Sequence, residues 1–458
     1  MTSEEKVLKE ADLGYESALD VFQTPVSNVG LQDCKYVQYR ATNQFSTEGN
    51  VKFRIPAAGA TYLDLSDIYV RTTVRIVRSD GTKVPKRPAG DEEPEGEPEP
   101  TAGDEGAWSI GVSNSLSDSL WHQVELRLND TSVVGGMTGY CYGAMLNTLL
   151  EEKETSDEEL QCAMFYKDTA GYMETNSLMY GGNEGFRKRA KLLEGSRSVE
   201  VQSKLDLDVF KTKKFLLNGI SVDLTLHPTS SAFRLITVNK HDKDYVLEIQ
   251  DICLIVRQVL PTPPVLIGHQ EILKSGLSRA RYFYMKEDLR KFSIGRGLTS
   301  FFAEDAFQSR VPHSLAIAFI AGDSFVGNYN RNPYLFHHYF LSTLNVSLSG
   351  CPTSRGPLHF DFSRGRYLQG FADLYGGKTK GPANSQRITL EEYAGGYSLF
   401  VVPLSPQTGE NYYPPARTGS VRIELRFSKP LPESIIMLCR VTYPACLELD
   451  HERNVYLS

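Results

Sequence analysis

The side chains with the most chemical potential are nine histidines, seven cysteines and one pair of adjacent glutamates, and their spacing limits what they can do. The histidines stand at 122, 227, 241, 269, 313, 337, 338, 359 and 451 and contain no His-x-His pair. That pair would set two imidazoles on one strand face toward a single metal. His337 and His338 are adjacent, so on a strand they point to opposite faces and cannot chelate one ion. Core or surface positions are expected for all nine.

The cysteines (34, 141, 162, 253, 351, 439 and 446) show no CxxC spacing. An odd number at low density fits buried thiols in a reducing compartment better than a disulfide framework. Cys141, in Gly139-Tyr-Cys-Tyr-Gly143, is the one candidate thiol centre, and a buried structural cysteine is the stronger reading. Gly295-Arg-Gly297 is too short to cradle a phosphate and opens no helix. Glu391 and Glu392, beside Tyr393, invite comparison with a glycosidase, but neighbouring acids do not face a common point. The sequence therefore assigns no catalytic residue, no metal ligand and no cofactor, and the protein is expected not to be an enzyme.

Charge points the same way. A net charge of −7 over 458 residues argues against a general polyanion binder. One positive patch stands out: Arg187, Lys188, Arg189 and Lys191, with Lys211-Thr-Lys-Lys214 nearby. A nuclear-import signal or a nucleic-acid contact is conceivable there, and a solvated loop balancing nearby acids is the preferred expectation. The opening MTSEEKVLKE has no apolar run of the signal-peptide kind, and no stretch has the length and apolarity of a membrane span. The chain is expected to be made in the cytosol and to stay soluble. Asn129-Asp-Thr and Asn345-Val-Ser then read as strand-end residues rather than glycosylation sites.

With so little reactive chemistry, the elements themselves carry the information. FLLNGISVDLTLHPTSSAFRL (Phe215–Leu235) has a counterpart in TGSVRIELRFSKPLPESIIML (Thr418–Leu438). Each has a glycine turn, an alternating strand, a proline-containing break and a second apolar run. Ile220, Val222, Leu224 and Leu226 share one face, as do Val421, Ile423, Leu425 and Phe427, the period of a strand with one buried side. Three further pairs keep the same order: LWHQVELRLND (120–130) with FLSTLNVSLSG (340–350), VKFRIP (51–56) with RKFSIG (290–295), and CLIVRQVLP (253–261) with IMLCRVTYP (436–444). The offset shrinks along the chain, as expected for one duplicated all-β unit whose first copy has the longer loops.

The expected organisation is an N-terminal arm over 1–30, a first jelly roll over 31–262 and a second over 263–458. The first would carry a mobile acidic loop at 85–107, where Pro, Glu, Gly and Asp leave almost nothing to bury. The best helix candidate is Gly143–Glu159, with Met145, Leu146, Leu149 and Leu150 on one face. PTPPV (261–265) ends the first unit. The fold class is all-β: two eight-stranded antiparallel sandwiches in tandem, with short helices in loops.

Several blocks also resemble a known family. Gly59-Ala-Thr-Tyr-Leu-Asp-Leu65, Phe165-Tyr-Lys-Asp-Thr-Ala-Gly171, Lys291-Phe-Ser-Ile-Gly-Arg-Gly297, Asn332-Pro-Tyr-Leu-Phe-His-His-Tyr339, Glu392-Tyr-Ala-Gly-Gly-Tyr-Ser-Leu399 and Leu447-Glu-Leu-Asp-His-Glu-Arg-Asn-Val455 arrive in family order. With Phe215–Ile220 they resemble the hexon-like major capsid protein of adintoviruses and Polinton/Maverick-type elements. The resemblance implies a double jelly-roll subunit that forms a pseudo-hexameric homotrimer and tiles the icosahedral shell of a DNA virus. Its partners would be itself, neighbouring capsomers and minor capsid or penton proteins, with no specific nucleic-acid site and no membrane span. It would reside in the virion after synthesis in the host cytoplasm, with the host nucleus as a further assembly compartment. Loops would form the outer towers, with the 85–107 segment exposed there or at a capsomer edge. The competing reading is a carbohydrate-binding or carbohydrate-active protein with two jelly rolls; a host-retained capsid-derived protein would share the fold.

Overall fold

The computed structural model describes residues 28–44, 46–86, 109–135, 138–150, 156–175, 182–237, 244–276, 278–353, 356–376, 387–405 and 413–458. Residues 1–27 of the expected arm and 87–107 of the expected acidic loop lie outside these. Eight strands build the two main sheets of the first half, beside a small pair of Ile110–Val112 with Leu235–Thr237: β1 (Leu31–Arg40), β2 (Val51–Ile55), β3 (Tyr62–Arg78), β4 (Trp121–Leu128), β5 (Thr131–Val134), β6 (Val199–Lys204), β7 (Val222–Pro228) and β8 (Tyr245–Pro261). They form two antiparallel four-stranded sheets, ordered β1-β8-β3-β6 and β2-β7-β4-β5. The second half repeats the plan with β9 (Ala280–Ile294), β10 (Ser300–Ala303), β11 (Ser314–Ala321), β12 (Leu341–Leu348), β13 (Cys351–Pro352), β14 (Leu399–Pro403), β15 (Val421–Phe427) and β16 (Ile435–Leu449). Its sheets run β9-β16-β11-β14 and β10-β15-β12-β13, each with a short fifth strand: Val455–Leu457 on β16 and Leu358–His359 on β12. Adding eight to each strand number converts one half into the other, which is the jelly-roll order written twice.

Alternation is what fixes each strand's buried face. In β2, Val51, Phe53 and Ile55 are buried while Lys52 and Arg54 face out. In β15, Val421, Ile423 and Leu425 are wholly buried, with Arg422 and Arg426 exposed and Glu424 half-buried on the alternate positions. Each such side chain contributes about 1.5–3 kcal/mol on leaving water. A one-residue slip would turn the whole set outward, so register is strongly specified.

Three of the four sequence pairings join equivalent strands: β4 with β12, β7 with β15, and β8 with β16. The fourth does not. RKFSI is the end of β9, whereas VKFRI is β2, whose true counterpart is Ser300–Ala303 in β10. Any two alternating strands can be superimposed, and the apolar period alone did not separate these.

Helices fill the connections: α1 (Tyr140–Leu150), α2 (Glu184–Leu193), α3 (Pro263–Lys274), α4 (Leu368–Gly376) and α5 (Leu390–Ala394). The expected helix at Gly143–Glu159 instead begins at Tyr140 and ends at Leu150, and a new short helix, Asp157–Cys162, follows. Ser156 caps that second helix by accepting from the Glu159 amide at 3.1 Å. α1 is buried on nearly every side, so no amphipathic face marks its start. Residues 261–265 open α3 as well as closing β8, because proline lacks the amide hydrogen that a first helical turn cannot use.

Every strand pairing among the described residues stays within 31–261 or within 280–457. Side-chain packing does not respect that division. Tyr282, Tyr284, Leu447 and Leu449 pack with the first roll's core, while Tyr142, Met145, Phe165 and Phe233 pack with the second's.

Candidate functional site: the seam and the uncovered sheet

Within each roll the chain runs alternately up and down, so the β3–β4, β5–β6 and β7–β8 connections all emerge at one end. The same holds for β11–β12, β13–β14 and β15–β16. These two sets of connections meet and lock.

At the centre is Arg189 of α2, wholly buried although the sequence suggested a solvated basic loop. Its Nη2 donates to Asp168 Oδ1 at 2.7 Å, Nη1 to the Tyr166 carbonyl at 2.6 Å and Nε to the Val112 carbonyl at 3.0 Å. Asp168 Oδ2 accepts from Asn332 Nδ2 at 2.9 Å, and its carbonyl accepts from Tyr397 Oη at 3.0 Å. Asn332 and Tyr397 belong to the second roll, so one satisfied polar network joins the halves. Lys167 adds an ion pair to Glu392. Glu392 is also the reciprocal member of a capping box with Thr389 at the start of α5. Of the two adjacent acids, Glu392 is thus tied into a cap and an ion pair, whereas Glu391 is exposed.

A second knot surrounds Glu287 of β9. Asn147 of α1 donates to it at 2.7 Å, and Lys211 and Arg440 each reach it at 2.9 Å. Burial alone would raise this carboxyl, but Arg440 and Lys211 outweigh burial and hold it well below the usual range. Nearby, burial pushes Asp118 up to about 6 against hydrogen bonds from Ser115, Tyr140 and Ser203. Asp208 rises to about 6 for the same first reason. Beside α1, Tyr142 packs against Phe233, Phe325 and Tyr334 with ring centroids 5.5–5.7 Å apart.

The other reactive candidates resolve into packing. Burial pushes the Cys141 thiol up to about 12, so it is no nucleophile near neutrality. No trio of His, Cys, Asp or Glu among the described residues could hold a metal ion. His227 pairs with Glu125, and His269 stacks on Tyr62 and bonds to its hydroxyl at 2.9 Å. His241 lies outside the described residues. His337 and His338 are not on a strand and do not point apart. Their rings stack on each other with centroids 4.5 Å apart. The opposite-face argument fails because the segment before β12 is irregular. Gly297 sits in the tight turn after β9 with φ near +81°.

The first roll covers one face of β9, whereas no residue of its counterpart β1 is buried. Connections of the first roll lie over β9: Lys291 Nζ donates to Thr138 Oγ1, the Glu287 amide to Asp208 Oδ2 at 3.0 Å, and Tyr282 Oη to the Phe215 carbonyl at 3.1 Å. No residue of β1 is buried, and Tyr36 is 58% exposed. Its polar groups turn back on their own sheet, with Tyr36 Oη donating to Asp67 Oδ2 at 2.6 Å. Tyr39 still packs on the first roll's core, but a strand with an exposed outer face and one edge unpaired among the described residues is a template for another chain.

No family model matches the sequence, and neither does any curated protein. Solved structures do match in shape. A chain of the Sputnik virophage structure is 13% identical with a TM-score of 0.62, covering 98% of this chain and 93% of that one. The Faustovirus major capsid protein is 9% identical with a TM-score of 0.55, covering 97% and 94%. The mavirus major capsid protein is 10% identical with a TM-score of 0.50, covering 98% and 95%. At such identities the likeness is one of fold: this chain has the double jelly roll of viral major capsid proteins.

Proposed function

We propose that this chain is a structural major capsid protein, acting by assembly rather than catalysis. Three copies form a ring of six rolls that tiles an icosahedral shell. The observation that carries this reading is the unequal cover of two equivalent strands. Inside one molecule, connections of the first roll seal β9 of the second. The equivalent connections of the second roll would seal β1 of the next copy in the same way. Repeating one roll-to-roll contact in this manner gives a closed, self-complementary ring, and three two-roll chains make it six-sided. The division at 262/263 follows from this reading, since each half is one ring position. Neighbouring capsomers and minor capsid or penton proteins are the expected further partners, and the virion is the expected location. Among the described residues no helix is long and apolar enough to cross a membrane.

Light scattering on the eluting full-length protein tests the proposal. A particle of three times 51.2 kDa supports it. A monomer at micromolar concentration, with no hexagonal tiles or shells under the electron microscope, overturns it.

A further inference from the structure

The segment leading into β12 holds two consecutive non-glycine residues in the left-handed region, Tyr339 with φ 44° and Phe340 with φ 53°. That conformation is sparsely populated for aromatic residues and persists only where the surroundings enforce it. Two bonds of one kind enforce it here. The Tyr339 amide donates to His337 Nδ1 at 2.8 Å, and the Phe340 amide donates to His338 Nδ1 at 2.9 Å. An amide can only donate, so both imidazoles must present a bare Nδ1 and carry any ring hydrogen on Nε2. A proton on Nδ1 removes the acceptor and sets two N–H groups against each other.

We propose that His337 and His338 are a proton-operated latch: as neutral rings they hold the Tyr339–Phe340 backbone, and protonation at Nδ1 releases it at the loop end of the second roll. The rings stack on each other, and His338 also stacks on Phe362 at 4.0 Å, so releasing one disturbs the other. The latch forms part of the wall of a cavity of about 340 Å³ that His337, Tyr339 and Phe340 line with Glu433 and Glu174.

The charged groups around the pair come from every element packed on it. From the β15–β16 connection, Glu433 accepts from Tyr339 Oη at 3.0 Å, and Lys429 lies over the Phe340 ring at 3.9 Å. Arg331, on the connection that carries the pair, ties Glu433 at 2.8 Å to Asp323 and to Glu174 of the first roll. On the turn bearing Phe362, Asp361 and Arg364 pair with each other at 3.7 Å. Strand β11 contributes no charge, only the Phe319 carbonyl that accepts from the His337 amide at 3.2 Å.

Glu433 alone favours a charged His337, and burial works against it. Burial lowers His337, and it lowers His338 to about 3, with His337 as a secondary cause. The closed latch therefore excludes protons that the open segment accepts near pH 6.5. Each pH unit below that value favours the open form by up to about tenfold per histidine.

Hydrogen exchange on the assembled full-length protein reads this directly. After correction for the intrinsic pH dependence of exchange, protection of the Tyr339 and Phe340 amides is expected to fall at least about tenfold between pH 7.5 and 5.0. The double variant His337→Asn, His338→Asn keeps a side-chain acceptor for an amide two residues on and does not titrate, so its protection is expected to be level. Unchanged wild-type protection at pH 5.0 overturns the proposal, as does a variant that loses protection as the wild type does. Should the variant not fold, ring-nitrogen NMR of the wild type decides. Both Nδ1 signals are expected to change at the pH where protection is lost, and a separate midpoint for either overturns the latch.

Discussion

β1 and β9 hold the same place in their rolls, each at the edge of its sheet, yet their surroundings differ. In β9, Tyr282, Tyr284, Leu289 and Ile294 are buried and Glu287 is locked between a lysine and an arginine. In β1 nothing is buried, and the charges pair in solvent, as Arg40 does with Asp251. The jelly roll dictates the strand order in both cases. What differs is which connections lie over the sheet: Thr138 of the β5–β6 connection and Asp208 and Phe215 of the β6–β7 connection lie over β9. A duplicated fold thus supplies two equivalent edge strands, of which the chain buries part of β9 and no residue of β1.

The largest effect should come from the core of the seam. Arg189→Ala leaves Asp168 buried without its cation, and denaturant unfolding should show a loss of about 3–5 kcal/mol. Next is the cover of β9 itself. Glu287→Gln should cost roughly 1.5–3 kcal/mol near neutrality. Because the folded carboxyl is held low, its contribution is present above the unfolded glutamate value near 4.3 and is lost as pH falls toward the lower folded one. The variant and the wild type should therefore converge in acid, and parallel curves at pH 7 and 3.5 would refute the assignment.

Asp118 behaves with the opposite sign. Its folded value of about 6 exceeds the unfolded value near 3.9, so the folded state binds the extra proton and stability falls as pH rises across that window. Asp118→Asn should flatten the thermal midpoint between pH 4 and 6 and raise stability at pH 7, on the order of 1–3 kcal/mol. Last comes the open strand. Lys35→Glu with Tyr36→Ser should leave the unfolding midpoint nearly unmoved while converting trimer to monomer by light scattering. If that variant stays trimeric, β1 is not the face a neighbour covers. Arg40→Ala on the same strand should change neither readout, since an exposed ion pair is screened by water.

Much of the fold was legible before any coordinates. The strict alternation of β7 and β15 identified two copies of one strand, and three of four repeat pairs joined true equivalents. The absence of His-x-His spacing was readable for the same reason, since strand geometry turns sequence distance directly into facing. The helix at Tyr140 was misplaced because a helix buried all round has no polar face to mark its limits. Arg189 read as solvated because its neighbours in sequence are charged, while its partners Asp168 and Val112 lie 21 and 77 positions away. The stacking of His337 on His338 was missed because it needs an irregular backbone that no periodic rule predicts.

Local alternation acts between adjacent residues, so the amino-acid order by itself determined the strands, their inward faces and the duplication. Long-range contact decided the rest: which connection covers which sheet, where a lone arginine meets its carboxylate, and which strand is left open. Those outcomes depend on segments far apart in the chain arriving at one place, and that information exists only once the two rolls are packed together.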